Sequence, residues 1–263
     1  VIRRWAAALL AGACAGCHGS GPLLHPAHVL HPGKVSVGAG LSGDMVVAGA
    51  TVAPPGAAGD AAATEGAAQR KLSEIAVSPG IAPWAGARVG IEGGNEAGLT
   101  YTGRALRLDG RHAFPLGDAA LSIGLGASAL FAGAPGPLAE PSAEGGDVGD
   151  VYGAGVDVPI LLGFRSDADL YALWFGPRLG LELLGGEVRL PPAGSASRGP
   201  LVDASGQHLR LGFVLGVRAG FRHVHVALEA TATYHHATGE IGGTPVAIDQ
   251  GTIAPGGGLT VTF

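Results

Sequence analysis

The chain has 263 residues, of which 48 are glycine and 14% are charged, with a formal net charge of -5. An acidic balance with no Lys/Arg cluster excludes nucleic acid as a partner. The two cysteines, Cys14 and Cys17, leave no disulfide framework and no Cys-based metal site, and no run of 18 apolar residues exists to form a membrane helix.

In chain order, Arg3 and Arg4 precede an apolar run that ends in small residues, the three parts of an export signal. Val1 fits a non-Met start, which would make this the unprocessed precursor. The stretch Cys14-Ala-Gly-Cys17-His18 spells a c-type haem attachment site. Its flanks, a signal sequence and a Pro/His/Gly tail, favour a processing site instead. Ala15-Gly16-Cys17 resembles a lipoprotein cleavage box, with Gly12-Ala13-Cys14 as a second candidate, so Cys17 and Cys14 are the lipidation candidates. Residues 1–17 are read as signal, 18–33 as a flexible tether and 34–263 as the folded unit. His25, His28 and His31 recur every third residue, which in a Pro/Gly-rich spacer is coating rather than a metal site.

From residue 34 onward the apolar residues alternate with period two, the mark of strands with one apolar face. Leu209, Leu211, Phe213, Leu215, Val217, Ala219 and Phe221 oppose His208, Arg210, Gly212, Gly216, Arg218 and Gly220. The pattern recurs at 152–164, 171–183 and 223–235. Strands of about 10–14 residues exceed the ~5–6 of soluble sheets and suit a membrane wall, which needs about 9–11. A polar face of glycine with sparse charge suits a crowded lumen.

Tight turns then divide the chain into strands at 34–42, 80–92, 96–102, 104–114, 118–131, 151–164, 169–185, 207–221, 223–236 and 252–263. The fold class is all-β: an antiparallel up-and-down transmembrane β-barrel of about 10 strands, with 8 or 12 open. The connections 43–79, 132–150, 186–206 and 237–251 are expected as long outer loops. Phe114, Phe164, Tyr171, Phe221 and Phe263 fall at the periplasmic ends of strands, and Tyr101, Phe131, Tyr152 and Tyr234 at the outer ends, as interfacial belts require; Phe175, Phe213, Trp84 and Trp174 depart from the pattern.

The last residues, Gly258-Leu-Thr-Val261-Thr-Phe263, resemble the C-terminal strand signal of bacterial outer-membrane β-barrels, with Gly258, Val261 and Phe263 in the motif positions. The resemblance covers about residues 34–263 as architecture. It implies the outer membrane of a Gram-negative-type cell, both barrel termini periplasmic, membrane lipid as surroundings and the barrel-assembly machinery as a partner.

Other patterns are weaker. Gly38-Ala-Gly40-Leu-Ser-Gly43 spells a dinucleotide fingerprint, but no helix signal follows to hold a pyrophosphate. His223 and His225 lie too far from Glu229 along one strand for zinc, so no metal and no cofactor are assigned. The barrel wall directs Arg88, Arg107, Arg111, Arg178, Arg210 and Arg218 inward with Glu92, Glu96, Asp109, Asp157, Glu182 and Glu229. Buried charges of both signs must pair or stay hydrated, so a zipped ionic lumen is expected over an open pore. No nucleophile–base constellation is found, and no catalytic residue is assigned. The expected role is non-catalytic, structural or surface-binding toward an unidentified ligand; a narrow solute or ion channel and an outer-membrane hydrolase are the alternatives.

Overall fold

The structure, a computed structural model, describes residues 21–49, 60–132, 150–191 and 199–263. The signal region and both lipidation candidates lie outside them. Ten strands run β1 (Val35–Gly49), β2 (Gly80–Ile91), β3 (Asn95–Tyr101), β4 (Ala105–Leu116), β5 (Ala119–Ala132), β6 (Val151–Arg165), β7 (Tyr171–Arg189), β8 (Leu201–Phe221), β9 (Val224–Ile241) and β10 (Thr244–Thr262). Each pairs antiparallel with its sequence neighbours, and β1 joins β10 to close the barrel. Closure leaves no strand edge, which is what allows a sheet to stand in lipid. At the seam Gly258 faces Gly40 and Val261 faces Val37. A β-carbon on Gly258 would stand 2.4 Å from the Trp84 ring, so that motif glycine is also a packing requirement.

One end of the barrel carries tight turns. Gly93 and Gly94 (φ 74° and 76°) join β2 to β3, and Gly117 (φ 69°) joins β4 to β5. The barrel's two terminal strands begin and finish at this turn end, where Phe263 N–H donates to the Val35 carbonyl at 2.8 Å. The opposite, loop end differs from the expectation in three places. Residues 237–251 are not a loop: β9 and β10 continue to a two-residue turn at Gly242-Gly243, whose φ values of 59° and 80° fit a type I′ hairpin. Residues 186–206 are likewise mostly strand, connected across 190–200. Within 43–79, β1 runs on to Gly49 and a helix, α1 (Asp60–Ala76), follows.

The outer face of the wall marks the membrane. On β8 it is apolar from Leu209 to Phe221, all exposed at the odd positions, then polar at Gln207, Ser205 and Asp203. At ~3.3 Å per residue and a tilt near 45° that apolar run covers about 28 Å along the barrel axis, close to the ~25 Å apolar band of such barrels. The aromatic residues expected at the two interfaces are all on the outer face, from Phe114 (44% exposed) to Tyr152 (65%).

Beyond this boundary the pattern inverts. The inner face becomes apolar (Leu130, Val151, Leu184, Val188, Ala204, Ala237, Ile241, Val246, Ile248) and receives α1 through Ala68, Leu72, Ile75 and Ala76. Those helix positions follow the i, i+4, i+7, i+8 spacing of one apolar stripe. Above the membrane, the wall and helix make a small water-soluble core that caps the lumen.

Two arginine substitutions test where the boundary lies. Leu215→Arg, at the middle of the apolar band, should cost about 2–4 kcal/mol in urea unfolding from vesicles. Gln207→Arg should cost no more than about 1 kcal/mol.

Candidate functional site

Residues 21–33, expected as a flexible tether, are instead held in place: 21–30 plug the lumen, and His31 to Gly33 are exposed where the chain enters β1. Pro22 to Ala27 are buried, and Leu23, Leu24 and Ala27 pack against Trp84, Trp174, Leu161, Val214 and Ala227. The lumen glycines supply the room. A β-carbon on Gly90 would lie 2.2 Å from the His31 carbonyl oxygen, and one on Gly216 would lie 2.1 Å from the Trp174 ring. Trp84 and Trp174, which break the interfacial pattern, point inward because the plug gives their rings something to pack on.

The plug is gripped mainly by its main chain. Both oxygens of Glu229 accept, from Leu23 N–H and Leu24 N–H at 2.8 Å each, and Oε2 also takes Trp174 Nε1–H at 3.1 Å. Leu30 N–H donates to Glu96 Oε2 at 2.8 Å. In the other direction Arg111 donates to the Pro26 carbonyl and, at 3.2 Å, to that of His28. Arg178 Nη1 donates to the Gly21 carbonyl at 2.6 Å.

These two arginines end a continuous ionic belt across β2, β3, β4, β6 and β7. Arg111 Nη2 meets Glu96 Oε1 at 2.8 Å, and Glu96 also binds Arg88. Arg88 meets Asp109 at 2.5 Å, Asp109 meets Arg107 at 2.5 Å, Arg107 meets Asp157 at 2.7 Å, and Asp157 meets Arg178 at 3.0 Å. Guanidinium and carboxylate alternate, beginning and ending on guanidinium. The surplus positive charge is therefore directed onto plug carbonyls, and charge-assisted bonds of this type are the strong ones.

A second cluster stands nearer the cap. Glu182 Oε1 pairs with Arg210 Nη2 at 2.8 Å, and its Oε2 with His208 Nδ1 at 3.0 Å. His208 Nε2 lies 2.9 Å from His235 Nδ1, and His235 Nε2 lies 2.8 Å from Thr252 Oγ1. With Glu182 ionised, His208 Nδ1 must carry the donated proton. For a neutral imidazole pair, His235 Nδ1–H then donates to His208 Nε2, and the hydroxyl closes the chain on His235 Nε2. The chain crosses four strands and ties β7 to β10 beneath the cap.

Most of the twelve charged residues read as luminal therefore meet in these clusters. Arg218 pairs with Asp169 of the β6–β7 turn at 2.5 Å instead of with a wall carboxylate. Glu229 serves the plug rather than an arginine. Glu92 is a correction: it is exposed in the β2–β3 turn, outside the lumen, because β2 ends at Ile91. The sequence pattern puts His208 and His235 on the polar face but gave no sign of their pairing, and it missed Arg104. Both histidines occupy the inward parity of their strands, set by the alternation that placed Arg210 and Glu229. Arg104 sits in a turn, where alternation gives no signal.

No family model matches the chain, and no curated protein does. Among solved structures it is similar to Neisserial surface protein A (12% identity, 88% of this chain and 96% of that one, TM-score 0.30). A major outer membrane protein of Thermus thermophilus gives 13%, 89%, 100% and 0.35. The attachment invasion locus protein Ail of Yersinia pestis gives 12%, 87%, 99% and 0.27. No functional argument follows from likenesses this distant. Its closed wall and exposed apolar girdle make the chain a transmembrane β-barrel.

Glu229→Ala would strand three buried donors at about 1–3 kcal/mol each. The barrel should lose about 3 kcal/mol or more in urea unfolding, and thermolysin should gain a cut within residues 21–33. Glu92→Ala should stay within about 0.5 kcal/mol.

Proposed function

We propose that this is a non-catalytic, non-conducting outer-membrane barrel whose wall above the membrane on the loop side binds a ligand at the cell surface. The observation that carries the reading is a lumen occupied along its axis by the plug, the ionic belt and the α1 cap. A structure built for passage leaves its interior open; this one uses its interior charges to hold chain in place. Meanwhile β7, β8, β9 and β10, with 18 to 21 residues each, extend a polar-faced wall past the apolar band. That wall presents Asp203, Gln207, Thr238 and Glu240 outward.

The non-catalytic part rests on accessibility. The carboxylate–imidazole–imidazole–hydroxyl chain ends on Thr252, which is 2% exposed, and in this reading its hydroxyl serves as a tie between strands beneath the cap. In this reading the loop end is extracellular, the barrel termini are periplasmic, and the Gly258–Phe263 strand is the segment handed to the assembly machinery.

Refolded protein in planar bilayers should show no steady conductance; reproducible single-channel steps would favour the narrow channel instead. An epitope inserted at Gly242-Gly243 should be reached by antibody on intact cells. The same epitope at Arg222-His223 should be reached only after permeabilisation.

A further inference from the structure

Between the ionic belt and the α1 cap lies a cavity lined by residues of several strands, the plug's Gly21 and the end of α1 at Ala76 and Val77. Most charges facing it are paired within the clusters above: Arg107 and Arg178 with Asp157, and Arg210 with Glu182. Two are not. Arg104 is 7% exposed and Asp44 is 4% exposed, and among the described residues neither takes part in an ion pair. Arg104 spends Nη2 on the Ile75 carbonyl at 3.0 Å, a neutral acceptor at the C-terminus of α1. Asp44 stands beside the Thr252 hydroxyl, whose one hydrogen goes to His235, and its Oδ1 has no hydrogen-bond partner. An unpaired buried charge is costly in the folded state, and here one of each sign faces the same cavity without forming a direct pair.

We propose that this cavity is a binding site for a small zwitterion of the α-amino-acid class, with its carboxylate on Arg104 and its ammonium on Asp44. A single ligand with both charges satisfies both residues at once, whereas a simple anion or a simple cation leaves one of them unpaired. Arg210 Nε, also without a partner, offers the carboxylate a second donor. The cavity holds about 80 Å³, room for a few waters at ~30 Å³ each, a size that suits glycine or alanine. Leu130 on the lining gives a methyl group an apolar contact, while Thr231 and Thr233 add hydroxyls to the polar side. The site is separate from the surface wall and stands or falls independently of the role proposed for that wall.

Calorimetry on the refolded full-length barrel with glycine and L-alanine tests this, with acetate and methylamine as half-ligands. Both amino acids should bind, L-phenylalanine should not, and each half-ligand should bind at least tenfold more weakly than glycine. Asp44→Asn and Arg104→Gln should each weaken glycine binding at least tenfold, as expected for loss of a charge-assisted bond. Heat-modified mobility on gels verifies that each variant is a folded barrel, and Arg104→Lys, which keeps the cation, should retain part of the affinity. Acetate binding as well as glycine does, glycine binding unchanged in Asp44→Asn, or no glycine binding by the folded wild type would each overturn the proposal.

Discussion

An extended polypeptide inside a barrel has no sheet partner for its main chain, and every unmet N–H or C=O there is costly. The central interaction of this molecule is the answer to that constraint: ionised side chains of the wall bind the main chain of residues 21–30. Glu229 and Glu96 take N–H groups, while Arg111 and Arg178 supply donors to carbonyls. The ionic belt makes this possible. Four arginines against three carboxylates leave a surplus that the plug's carbonyl dipoles absorb, so the belt and the plug stabilise each other.

The glycine content follows from the same arrangement. A ten-stranded wall encloses a narrow interior, and a plug plus two inward tryptophans fill much of it. Positions such as Gly90 and Gly216 are bare because backbone or an indole ring already occupies the place of a β-carbon. Composition that could pass for low complexity is thus a record of close packing.

How much of this could be read from the sequence depended on which solvent each face meets. Between Leu209 and Phe221 the outward face meets lipid and the inward face is polar, so strand, parity and burial were all readable, as was the closure implied by ten strands. Past Gln207 and Tyr234 the wall enters water, its amphipathicity inverts, and segments such as Ala237–Ile241 look like loop to a rule tuned for lipid. The Gly242-Gly243 pair was the available hairpin signal there. The plug gave a weaker one: Pro22-Leu-Leu-His25-Pro-Ala27 is more apolar than a spacer needs to be, but Glu229, which holds it, lies 205 residues from Leu24 in the chain. Arg104 and Asp44 were hidden for a different reason, since only the closed barrel brings a β3–β4 turn residue and a residue of β1 to one cavity.

The central claim is that the wall holds the plug by its main chain, and amide hydrogen exchange of the refolded barrel measures that bond by bond. Leu23, Leu24 and Leu30 should exchange as slowly as amides in the centre of β8, and Glu229→Ala should release Leu23 and Leu24 while leaving β8 protected. Exchange of those three amides at free-peptide rates in the wild-type barrel would contradict the account.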